Sequence, residues 1–124
     1  MALLTFATGD TYTLVLRKLV LNQGGPNIPA QNDTNDSLVK KLLLNQGGVN
    51  VPAQNDNEFS LWKKYLLNQA GANAPAFGDN LRTILAKIND NKASAIGGTH
   101  SNQYDNTFNL VVKILGNTNP LAPL

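Results

Sequence analysis

Apolar residues recur along this chain in a fixed figure: two adjacent, two polar or mixed positions, then two adjacent again. Val15, Leu16, Leu19 and Val20 form the first set, and Leu38, Val39, Leu42 and Leu43 the second. Leu61, Trp62, Tyr65 and Leu66 form the third, and Leu110, Val111, Ile114 and Leu115 the last. A fourth set keeps Ile84, Leu85 and Ile88 but carries Asn89 in its last position. The i, i+1, i+4, i+5 spacing draws one apolar stripe down a helix and predicts five helices of about three turns each. Helices of that length are marginal alone in water, so their stripes must be buried against one another.

The stripes sit inside a longer repeat. Lys40 to Asp56 reads KKLLLNQGGVNVPAQND, with near-copies at Leu19 to Asp33 (LVLNQGGPNIPAQND) and Lys63 to Asp79 (KKYLLNQAGANAPAFGD). Asn22, Asn45 and Asn68 are spaced 23 residues apart, as are Pro29, Pro52 and Pro75. A constant period marks a repeat architecture. Asp10, Asp33, Asp56, Asp79 and, after a three-residue insertion, Asp105 share one column. Aspartate before a helical stretch reads as an N-cap, its carboxylate accepting from the free amides of the first turn. One carboxylate per unit lacks the ligand spacing of a metal site. Each helix is expected to stop at Asn-Gln-Gly-Gly or Asn-Gln-Ala-Gly, where glycine adopts the left-handed conformation that closes a helix.

The connectors, such as Gly48 to Asp56, carry proline and no helical period, and are expected to be extended. A helix of 11 residues rises roughly 17 Å, and eight or nine extended residues reach roughly 28 Å. Such a connector can run back along the whole helix and let successive helices lie parallel. An antiparallel hairpin needs only a short loop. Both stackings are compatible with the spacing, which favours the helix-and-return form. The fold class is therefore all-α, a solenoid-like array with Pro/Gly/Asn connectors. Its boundaries are an apolar arm over 1–9, a repeat domain over 10–116 and a tail over 117–124. The units run near 10–32, 33–55, 56–78, 79–104 and 105–116.

Composition narrows the function more than it names it. The 124 residues are 42 % hydrophobic but only 15 % charged and 6 % aromatic, and the net charge is +2. That charge is too small for non-specific binding of nucleic acid. Without cysteine there are no disulfides or thiolate metal sites. No apolar run approaches the length of a membrane span, and the first ten residues lack the basic region of a signal peptide. A soluble chain made in the cytoplasm is expected.

Candidate chemistry is sparse. His100 is the single histidine, and Ser94, Ser101 and Asp105 lie near it in sequence. A Ser-His-Asp triad requires convergence on a rigid scaffold beside an oxyanion site, whereas these residues share one polar loop. Gly24-Gly25 and Gly47-Gly48 follow helices instead of opening them, so they are not phosphate loops. No cofactor and no enzymatic activity are expected. Phe59, Trp62 and Tyr65 at helical spacing read as core. One basic column, Lys18, Lys41, Lys64, Lys87 and Lys113, lies at the edge of the stripe. It reads as stems covering apolar surface with ammonium groups in water, with pairing to a neighbouring unit's aspartate as an option. Its sharper reading is a charge ladder facing an acidic partner.

The repeated phrase, a polar cap, a Leu-rich helix with a central lysine, then Asn-Gln-Gly-Gly and Pro-Ala, resembles segments of small proteins and fibres of tailed-bacteriophage virions. The resemblance covers Asp10 to Asn68 closely, extends to Asp79 with Ala70 and Phe77 departing, and is degenerate from Leu81 to Leu115. It implies a virion structural protein: a head fibre, a capsid decoration, or a neck or tail component. Such a part would act by self-association and by attachment to other virion proteins, with no nucleic-acid or membrane partner. Candidate interface residues are Leu3, Leu4, Phe6, Lys41, Lys64, Leu121 and Leu124. A free-standing repeat module binding a peptide or glycan through connector Asn and Gln side chains is the alternative.

Overall fold

A computed structural model describes residues 4–69 and 71–117. Of the proposed interface residues, Leu3, Leu121 and Leu124 lie outside that range. The described residues form five helices and no strand: α1 (Tyr12–Gln23), α2 (Asn35–Gln46), α3 (Glu58–Asn68), α4 (Leu81–Ile96) and α5 (Thr107–Gly116).

All five helices point the same way. Thr13 at the start of α1 donates to the Asn35 side chain at the start of α2, 2.6 Å away. Gln23 at the end of α1 reaches the Leu42 carbonyl in the later turns of α2. Like ends therefore meet, and the connectors run back along the helices. Neighbours in sequence pack side by side, and α5 packs against α1 as well. The row thus closes into a ring, whereas an open solenoid would leave its two end helices with one neighbour each.

The inside of the ring is the core. Every apolar position of the four-residue figure is buried, from Val15 and Leu16 to Ile114 and Leu115. Trp62 and Tyr65 pack edge to face with centroids 5.6 Å apart. Asn89, the polar residue in the last column of the fourth set, is fully buried too. It donates to the Thr99 carbonyl and accepts from Asn117, so its carboxamide is paired in the core.

Three expectations are corrected. First, the column of aspartates does not cap the helices. The caps are Thr11, Thr34, Asn57, Asn80 and Asn106, each one residue later, with extended backbone and a side chain accepting from the amide three residues on. Ser37, Ser60 and Thr83 return the bond to form capping boxes. Second, α4 is not limited to about three turns but runs 16 residues, through Ile96. Lys92, Ala93, Ser94 and Ala95 follow Asn91, so no left-handed glycine is available until Gly97, with φ of 70°. Third, residues 4–9 are not outside the repeat. Leu4 pairs through its backbone with Asn22 as Asn27 does with Asn45, so the arm takes the place that a preceding unit's connector would fill against α1. Phe6 stands in the proline column and packs edge to face on Phe108 of α5, bracing the closure of the ring.

Candidate functional site

Two polar columns organise the outside of the ring, and both are committed to structure. In the first, each aspartate closes a reverse turn. Asp56, for instance, donates its amide to the Ala53 carbonyl and accepts the Ala53 amide on its carboxylate at 2.7 Å. Eight residues on, two turns up the same helix, the lysine ammonium reaches that carboxylate. The five pairs, Lys18–Asp10, Lys41–Asp33, Lys64–Asp56, Lys87–Asp79 and Lys113–Asp105, measure 2.6 to 2.7 Å. Lys64 also donates to the Val51 carbonyl. Each pair lies within one unit, not between neighbours, and ties the start of its helix to the end of the connector. Lys41 and Lys64, offered as rungs of a charge ladder, therefore have their charges matched locally.

All five carboxyls are held below the usual range. In Asp10, Asp56 and Asp79 the lysine hydrogen bond is the main cause, followed by the connector amide. In Asp33 and Asp105 burial pushes upward most strongly, and the hydrogen bonds to amide and lysine together outweigh it. A depressed carboxylate pKa stabilises the fold above the unfolded value and loses that contribution as pH falls through the folded value. Stability is therefore expected to be level down to about pH 5 and to fall steadily below the unfolded value near 4. Urea midpoints at pH 7 and pH 3 check this, and Asp56→Asn should make the acid loss shallower.

The second column is Asn22, Asn45, Asn68, Asn91 and Asn117. Each carboxamide lies against the connector of the preceding unit and pairs with a backbone amide and carbonyl there. Asn68 accepts from the Asn50 amide at 2.9 Å and donates to the Asn50 carbonyl at 2.8 Å. Asn91 does the same with Asn73, and Asn117 with Thr99. A second amide, Gln23, Gln46 or Gln69, donates to a carbonyl of the next helix. These columns were visible as a periodic Asn-Gln, but their role as connector clamps has no signature in one unit alone.

The residues around His100 do not assemble a triad. Ser94 lies 3.2 Å from His100 Nε2. Ser101 donates instead to Asp90, at 2.8 Å, and Asp105 is engaged by Lys113 and the Asn102 amide. Tyr12 crosses the ring at its N-terminal mouth to bond Glu58, which also takes the Trp62 indole N–H. Burial and the neighbouring Glu58 push the Tyr12 phenol far up, so it serves as a donor.

Among the exposed residues of the connectors are several large apolar ones. Phe77 is fully open to solvent and Tyr104 is 84 % exposed, on turns of adjacent connectors just before α4 and α5. Ile28, Val49 and Val51 are exposed on the first two connectors. Leu4 and Phe6 are partly exposed. No helix of the described residues is long and apolar enough to cross a membrane.

The chain matches no protein family, no curated protein and no solved structure. Its function is therefore argued from its own residues.

Proposed function

We propose that this protein is a non-enzymatic structural part of a tailed-phage virion, a head fibre, capsid decoration, or neck or tail component. It works by self-association and by attachment to other virion proteins, in a particle assembled in the host cytoplasm. The fold suits that role as a 23-residue repeat array, a solenoid bent until its ends meet. The virion assignment rests on the resemblance of the repeated phrase.

The observation that carries an attachment role is the exposure of Phe77 and Tyr104. In the Phe77 column the other units have Gln31, Gln54 and Gln103, and in the Tyr104 column the first two have Asn32 and Asn55. Two neighbouring turns thus exchange a polar tip for an aromatic one. Exposed aromatics on rigid turns have the composition of interface anchors. The alternative, a peptide or glycan module, is less well supported, because many of the amides on which it would depend are bonded inward.

Restoring the column residues, with Phe77→Gln and Tyr104→Asn together, tests the proposal. Both sites are exposed, so the thermal midpoint should stay within a few degrees. Light scattering across a dilution series should show the native chain as a closed oligomer and the double variant as a monomer. A native monomer at all concentrations, or an oligomer unmoved by the two changes, would overturn the attachment role.

A further inference from the structure

The repeat departs from its own rule twice at the C-terminal mouth of the ring, and both departures fall in residues that line one cavity of about 340 Å³. Its lining includes Leu19, Gln23, Leu42, Gln46, Tyr65 and Lys92. The first departure is at Gln23. Gln46 and Gln69 use both ends of their carboxamides, with Nε2 on a carbonyl of the next helix and Oε1 accepting from Asn68 or Asn91. Gln23 donates in the same way to Leu42, but its Oε1 is buried with no donor. The second departure is the added length of α4, which carries Lys92 to the mouth. Lys92 is partly buried and has no hydrogen-bond or ion-pair partner among the described residues. The Tyr65 hydroxyl has no hydrogen-bond partner among them either, although its side chain is largely buried.

Parallel helices bring their carbonyl ends together at this mouth, so the helix dipoles attract a cation there and admit a carboxylate only as the partner of that cation. That attraction accounts for the charge of Lys92. It accounts neither for the vacant acceptor on Gln23 nor for the free phenol of Tyr65. An unfilled acceptor, a cation, a hydroxyl donor and an apolar floor of Leu19 and Leu42 are what an amphipathic ligand requires.

We propose that the cavity binds an N-acylated apolar amino acid, the chemistry of a peptide's C-terminal residue. Its carboxylate is received by the Lys92 ammonium and the Tyr65 hydroxyl. Its amide N–H is received by Gln23 Oε1 as the carboxamide turns toward the cavity, and its side chain lies on Leu19 and Leu42. The volume is at the small end of ligand pockets and holds roughly one or two residues. This site is independent of the virion assignment and of the aromatic turns at the other end of the ring.

The test is titration of the full chain, followed by amide-resolved NMR, with N-acetyl-leucine, N-acetyl-leucinamide and acetyl-Ala-Pro-Leu as free acid. The free acids should bind saturably and shift Gln23, Tyr65 and Lys92, with the neutral amide at least tenfold weaker. Tighter binding of the tripeptide assigns the site to peptide ends, and equal binding assigns it to the free acylated amino acid; both uphold the site. Lys92→Met should weaken the acids at least tenfold while leaving the amide unchanged. Tyr65→Phe, which keeps the ring in the core, should weaken them severalfold. Equal binding of acid and amide, no saturable binding of either, or full affinity in Lys92→Met would overturn the proposal.

Discussion

Alanine at Gly48 is expected to destabilise the fold by about 2–4 kcal/mol, combining overpacking with disturbed hydrogen bonds. A Cβ built there would lie 2.3 Å from Asn68 Cγ. Asn68 cannot easily retreat, because its carboxamide is bonded to the Asn50 amide, the Asn50 carbonyl and Gln46. The same approach recurs at Gly25 over Asn45, Gly71 over Asn91 and Gly98 over Asn117. The two glycines of the motif therefore do different jobs. Gly47 has φ of 77° and open space around it, and supplies the left-handed residue that ends α2. Gly47→Ala should cost only about 1–2 kcal/mol, the strain of a left-handed alanine. Urea unfolding of the two variants separates the effects. Combining Gly48→Ala with Asn68→Ala should cost less than the sum of the single changes, since the contacts with Cγ and Oδ1 go with the amide and only the Asn68 Cβ, 2.6 Å from the added methyl, still opposes it. Strict additivity would show that the clamp is not where the glycine acts.

Trp62→Ala is expected to cost about 3–5 kcal/mol. Trp62 is 1 % exposed, stacks edge to face on Tyr65 and donates to Glu58. Glu58 in turn holds Tyr12 across the N-terminal mouth, so the loss is felt on α1 as well as α3. Small domains have about 5–15 kcal/mol to lose, and the variant should show a much lowered thermal midpoint or be partly unfolded at room temperature. Phe77→Ala is the matched control, because Phe77 is fully exposed and its removal should leave the midpoint nearly unchanged. Circular dichroism melts of the two variants make the comparison.

The helices and their buried faces follow from local pattern. Spacing alone identifies Val15, Leu16, Leu19 and Val20, and their counterparts in the other four helices, as the residues that line the core. Burial depends on which side of a helix is apolar, and 3.6-residue periodicity encodes that side directly. Gly24 and Gly47 as left-handed helix ends follow from local chemistry in the same way. That the connector is not helical was legible from its proline and its lack of a helical period.

Other features required the tertiary structure because they depend on partners distant in sequence. Asp56 looks like a helix cap until the Ala53 amide and Lys64 are seen around it and Asn57 takes the cap. A carboxylate can meet either demand, and packing of the connector decides between them. Asn68 marks the period plainly, yet its purpose appears only when the connector of the preceding unit lies across it. Phe6 bracing α5, and α5 meeting α1, join opposite ends of the chain. The 23-residue period specifies how each unit sits on the next. Closure after five depends on the rotation from one unit to the next, and that rotation is set by packing inside the ring.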